Sequence, residues 1–162
     1  MGPRRRRHLR GTQYGAVVAV TVETLTEVDD EIVEAFDRLL PQLSQMAKPL
    51  DREALAQLAS TESTTVLVAR SDGKIVGTLS LVMFPIPSGL RARIEDVVVD
   101  DSARGQGVGA ALIEEAKTRA SAAGARTLDL TSRASRSAAN RLYERLGFQP
   151  RESRVYRFAP AD

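Results

Sequence analysis

A chain of 162 residues, 43% of them apolar and 27% charged, has the size and composition of one globular domain with its own core, and it is too short for a cofactor domain beside a separate substrate domain. It holds no cysteine and one histidine, His8, which excludes disulfides, thiolate metal sites, an acyl-cysteine intermediate, and any Ser-His-Asp triad or histidine-ligated zinc in the folded body. The formal charge of +2 is set by Arg4, Arg5, Arg6, Arg7 and Arg10; without them 18 basic face 21 acidic residues, which offers no general case for nucleic-acid binding.

Residues 1–15 carry those arginines and no acid. A nucleic-acid or membrane arm is one reading, and a disordered basic tail, or a start codon chosen too early, is the simpler one. The apolar run that follows is minimal for a signal peptide and has no small-residue cleavage site behind it. We therefore expect a tail over residues 1–15, a single domain over residues 16–160, and a cytoplasmic protein without a membrane or nucleic-acid partner.

Residues 16–23 are β-branched and apolar and predict a first strand. Residues 29–43 place Ile32, Val33, Phe36, Leu39, Leu40 and Leu43 on a helical stripe, with Pro41 predicting an end or a kink. Asp51 is a suitable N-cap for a short second helix carrying Ala54, Leu55 and Leu58. Residues 64–70 and 75–83 are strand-like runs joined through Asp72-Gly73, a strong hairpin signal.

Beyond an expected loop at residues 84–89, residues 91–99 predict a fourth strand. Residues 107–123 predict a helix with Val108, Leu112, Ala116 and Ala120 at four-residue spacing, stopped by Gly124. A strand over 127–131, a helix over 136–146 stopped by Gly147, and a last strand over 155–158 complete the order. This is an α/β (α+β) pattern, a mixed sheet with helices.

The most informative stretch is Arg104-Gly-Gln-Gly-Val-Gly-Ala110, between a strand and a helix. Glycines admit close backbone approach and the free amides of a helix start favour an anion, so the physical reading is a phosphate or pyrophosphate site. No Lys-Ser/Thr follows, which removes the P-loop. Gly105, Gly107 and Ala110 fit the dinucleotide pattern G-x-G-x-x-A, with Asp129 at a suitable distance for the ribose. Yet polar residues 100–104 intervene between strand and first glycine, and too little chain follows for that fold. A plain tight turn accounts for one or two glycines but not for three alternating ones.

Ile94-Glu-Asp-Val-Val-Val99 followed by Arg104-x-x-Gly107-x-Gly109 resembles motif A of the GNAT acetyltransferases, and Asn140-Arg-Leu-Tyr-Glu-Arg-Leu-Gly-Phe148 resembles the family's second signature, L-Y-x-x-x-G-F. The resemblance implies the GNAT fold: a central, mixed, mostly antiparallel sheet of about six to seven strands with about four helices. It also implies acetyl-CoA as acetyl donor, no metal, a primary amine as acceptor, and direct transfer, with a homodimer a common assembly.

Carried over by residue, the resemblance implies that Arg104, Gly105, Gln106, Gly107, Val108, Gly109 and Ala110 cradle the CoA pyrophosphate. Val97, Val98 and Val99 bond the pantetheine arm as an added strand, and an amide near Val97 and Val98 faces the thioester carbonyl. Tyr143 protonates the departing thiolate, though it also stands at core spacing with Ala139 and Leu146. Many relatives have asparagine seven residues before the tyrosine. Here that position is Arg136 and the asparagine is Asn140, so either is the CoA contact. The general base is Glu95 or Asp96, whose adjacency puts them on opposite faces unless a bulge intervenes. A non-catalytic CoA-binding regulatory module is the alternative reading, and a nucleic-acid-binding protein using its arginine arm a third.

Overall fold

The structure, a computed structural model, describes residues 19–161. The basic tail and residues 16–18 of the expected first strand lie outside them.

Five strands form one sheet in the order β1 (Val20–Thr24), β2 (Thr64–Ser71), β3 (Lys74–Ile86), β4 (Gly89–Val99) and β5 (Thr127–Asp129). The first four pair antiparallel and β5 lies parallel to β4. Helices α1 (Asp30–Leu43) and α2 (Arg52–Ala59) cover one face; α3 (Val108–Ala122) and α4 (Ser137–Arg145) pack on the other.

Local chemistry sets the element ends. The side chain of Asp29 accepts from the Ile32 amide at 2.9 Å and that of Asp51 from the Ala54 amide at 2.8 Å, so both helices start on an N-cap. Pro41 stands in the last turn of α1, where it withholds one i→i−4 bond, that to the carbonyl of Asp37, so close to the helix end that the helix still runs on to Leu43. At the end of α3 the Gly124 amide bonds Ser121 O and the Ala125 amide bonds Ala120 O, and Gly147 and Phe148 repeat this pattern on Glu144 O and Tyr143 O after α4. Both are Schellman closures. Asp72 and Gly73 both have positive φ, 53° and 78°, as a two-residue type I′ hairpin requires.

The core has two halves divided by the sheet. Leu67, Leu79, Leu81, Ala92 and Ile94 meet Leu112, Ile113 and Ala116 of α3, while Val66, Val68, Ile75 and Val98 meet Ile32, Phe36, Leu39 and Leu55.

Two expectations need correction. Residues 84–89 are not a loop: Phe84 pairs with Arg91, Pro85 with Leu90 and Ile86 with Gly89, so the β3–β4 hairpin runs out to Pro87-Ser88. Proline and glycine here mark the tip of a long hairpin rather than a break before it. Residues 155–158 form no strand, and the sheet among the described residues has five strands, not six or seven. Tyr156 and Phe158 are 87% and 88% exposed. Four residues of strand-like composition acquire strand geometry only against a neighbouring edge.

Candidate active site

The site forms where β4 loses its partner. β5 pairs with β4 only at Arg91, Ala92 and Arg93, so from Ile94 to Val99 the edge of β4 that faces β5 has no ladder partner in it. Ladder groups left open in this way are a template for an added strand.

β4 is also bulged at this point. Ser80 pairs with Glu95 and Thr78 with Val98, so three steps on β4 answer two on β3, and Asp96 takes up the extra residue with φ 50°. The bulge reverses the alternation of faces. Ile94 belongs to the α3–α4 half of the core and Val98 to the α1–α2 half, whereas Val97 and Val99 pack toward α3 and α4. Ile94 and Val98 would share a face in a regular strand. Glu95 therefore faces away from Tyr143, on the side of α1 and α2, where Arg93 donates to it at 2.9 Å and reaches across to Thr131 at 3.0 Å. Asp96 is exposed at the bulge.

The glycine turn stands at the end of the same strand. Asp101–Ala103 forms one 3-10 turn, Arg104 is extended and ion-paired to Asp101 at 2.7 Å, and Gly105 and Gly107 have φ of 76° and 81°. A Cβ added at either glycine would meet nothing within 4 Å, so space is open beside the backbone at both. Gly107 is the N-cap of α3, without a side-chain cap and with no acid in the first turn. The amides of Val108, Gly109 and Ala110 precede the first intrahelical donor, Ala111, which bonds Gly107 O. A helix start left uncapped in this way presents free amides and a positive dipole end that favour an anion. Gln106 is held over the turn by Ser71, which donates to it at 3.4 Å.

The third glycine is different. A Cβ on Gly109 would lie 3.3 Å from Leu142 of α4 and 3.7 Å from Val99 of β4. Gly109 is the point at which α3, β4 and α4 converge, so the glycine turn, the open edge and the tyrosine helix lie together at one end of the sheet. Val108 is core, 1% exposed; only its backbone faces the turn.

Tyr143 is buried in the α3–α4 half of the core and meets Phe148 edge-on, with ring centroids 6.2 Å apart. Burial pushes its hydroxyl above the ordinary tyrosine value, opposed by the positive charge of Arg136. Arg136 is the exposed N-cap residue of α4, while Asn140 donates its side-chain amide to Arg133 O at 3.0 Å and closes the turn that enters the helix.

Gly77 and Ser132 also border this end of the sheet's packing in ways that matter locally. Gly77 of β3 allows α3 to approach, since a Cβ there would fall 2.9 Å from Val108 Cγ1 and 3.1 Å from Val98 O; a lone glycine inside a strand is the signal for such contact. Among the described residues, Ser132 Oγ is a buried side-chain oxygen without a hydrogen-bond partner. It follows Thr131 just past β5, beside the open edge, and nothing in the sequence marks it. A buried hydroxyl left unpaired is costly unless something else satisfies it.

The family model described as acetyltransferase (GNAT) family matches residues 29–148. A glucosamine 6-phosphate N-acetyltransferase of Trypanosoma brucei brucei is 34% identical over 147 residues, covering 86% of this chain and 95% of that protein. A crystal structure described as a transcriptional regulator from Bacillus halodurans C-125 is 30% identical with a TM-score of 0.71, covering 87% of this chain and all of that one. An aminoglycoside acetyltransferase from an uncultured soil metagenomic sample superposes with a TM-score of 0.77 at 23% identity, covering 88% and 97% of the two chains; that likeness is one of fold.

Proposed function

The chain belongs to the acetyltransferase (GNAT) family and is an N-acetyltransferase, and on that premise we propose that it draws acetyl from acetyl-CoA and passes it directly to a primary amine, with residues 16–160 acting as one domain. The observation that carries the donor assignment is the uncapped start of α3 behind two left-handed glycines with open space beside them.

In this reading the donor supplies an activated thioester acetyl group, and the protein binds, orients and handles protons. The amides from Gly105 to Ala110, with Arg104, receive the pyrophosphate. Val97, Val98 and Val99 bond the pantetheine arm along the edge that β5 leaves free, and an amide of Val97 or Val98 stabilises the oxyanion that develops on the acetyl carbonyl. Tyr143, kept protonated by burial, donates its proton to the leaving thiolate. Asp96, exposed at the bulge, or Glu95, paired to Arg93, takes the proton of the amine. Arg136 is the better CoA contact of the α4 pair, because the amide of Asn140 is already engaged.

The 34% identical relative is a glucosamine 6-phosphate N-acetyltransferase, which puts phosphorylated amino sugars first among acceptors to test. The absence of cysteine supports the cytoplasm. Among the described residues no helix is long and apolar enough to cross a membrane. Exposed Val155, Tyr156 and Phe158 support a homodimer as the assembly.

Calorimetric titration tests the site. Acetyl-CoA should bind the wild type at micromolar concentration and Gly107→Ala, which carries the same backbone strain, within a few fold. Gly107→Glu, which sets a carboxylate in the pyrophosphate position, should not bind. Absence of wild-type binding sinks the donor assignment.

A further inference from the structure

Asp100 is an acid in an awkward place. It is buried, 8% exposed, at the end of β4 and four residues before the turn that opens the anion site. Its carboxylate caps the 3-10 turn that leads there: Oδ1 accepts from the Ser102 amide at 3.0 Å and from the Ser102 hydroxyl at 2.8 Å. The bond from the Ser102 amide foremost, with those from Arg38 and the Ser102 hydroxyl, holds the carboxyl below its usual range. It is therefore ionised at neutral pH. A buried carboxylate beside an anion site repels the anion unless its charge is neutralised.

The neutralising group comes from another element. Arg38, on α1, donates from Nε to Asp100 Oδ2 at 2.8 Å and from its NH2 group to Ile75 O at 2.6 Å. One turn further along, Gln42 accepts from the Asp101 amide at 2.8 Å. Helix α1 thus holds Asp100 and Asp101, the residues that lead into the glycine turn, through two side chains.

Resting on the donor reading above, we propose that Arg38 is a positioning and shielding residue for the donor site: it cancels the charge of Asp100 so that the carboxylate can cap the turn leading to the pyrophosphate site without repelling the pyrophosphate. The guanidinium donates to the Asp100 carboxylate and to the Ile75 carbonyl, so it acts through Asp100. The arrangement also ties α1 to the donor turn at the far side of the sheet from α3.

Removal of the shield should weaken donor binding, and removal of both charges should restore it. Calorimetry with acetyl-CoA is expected to show Arg38→Met binding about tenfold more weakly than wild type, in line with one uncompensated charge at the foot of the donor turn. Arg38→Lys should stay within about threefold, and Arg38→Met combined with Asp100→Asn should return to near the wild-type value. In steady-state assays the KM for acetyl-CoA should follow these changes while kcat and the KM for the amine hold.

A merely structural role for the pair predicts the opposite pattern, with the double variant as weak as Arg38→Met or weaker and kcat falling along with it. That result overturns the proposal, as does Arg38→Met binding like wild type. Failure of the wild type to bind acetyl-CoA removes the donor reading itself, an outcome seen before any variant is measured.

Discussion

At the residue scale, Tyr143, the proposed acid, is also a core residue. Its ring is held by Phe148 and the α3–α4 half of the core, and the same burial pushes its hydroxyl above the ordinary tyrosine value. Tyr143→Phe should keep the fold and lower kcat by about a hundredfold, measured as thiol release under saturating acetyl-CoA. The raised folded-state value means that the favourable contribution of the neutral phenol is complete below about pH 10, the unfolded value, and is lost as pH rises through the higher folded one. Wild type should therefore lose stability above about pH 10 more steeply than the phenylalanine variant, as read by urea denaturation across alkaline pH. Identical alkaline profiles would exclude the buried phenol as their cause.

Among elements, the bulge in β4 and the brief pairing of β5 do most to shape the site. An extra residue at Asp96 turns Val97 and Val99 toward α4 and leaves Glu95 on the opposite face with Arg93. Helix α3 must then come close to the sheet for its start to meet this edge, and Gly77 makes the approach possible. Gly77→Ala should destabilise by about 1–3 kcal/mol, the usual cost of overpacking, because the new methyl would stand 3.1 Å from the carbonyl oxygen of Val98 as well as 2.9 Å from the methyl of Val108. Denaturant titration gives the value; a change within about 0.5 kcal/mol would mean that the helix can retreat freely.

At the scale of the whole molecule, the unpaired segment after α4 stands out. Residues 149–161 are exposed throughout and form no secondary structure, with Tyr156 and Phe158 uncovered. Large aromatic groups left in solvent so close together are the surface that the proposed homodimer would cover. With a homodimer as the assembly, light scattering should report about twice the mass of one chain, and Tyr156→Ser with Phe158→Ser should shift it to one. A monomeric wild type at micromolar concentration would end the dimer assignment.

The elements themselves were legible from local chemistry, because N-caps such as Asp29 and Asp51, glycine stops such as Gly124 and Gly147, and the Asp72-Gly73 hairpin act over a few residues of the chain. So was the glycine turn, whose positive φ angles and free amides are properties of Gly105 and Gly107 themselves and of the helix start. The tertiary structure alone decided the rest. The bulge at Asp96 depends on how β4 registers against β3, the shield on Asp100 comes from an arginine 62 residues earlier in the chain, and residues 155–158 stayed out of the sheet despite their strand-like composition. Register, long-range charge pairing and edge occupancy are relations between segments distant in sequence, and no local pattern of side chains encodes which partner will be there.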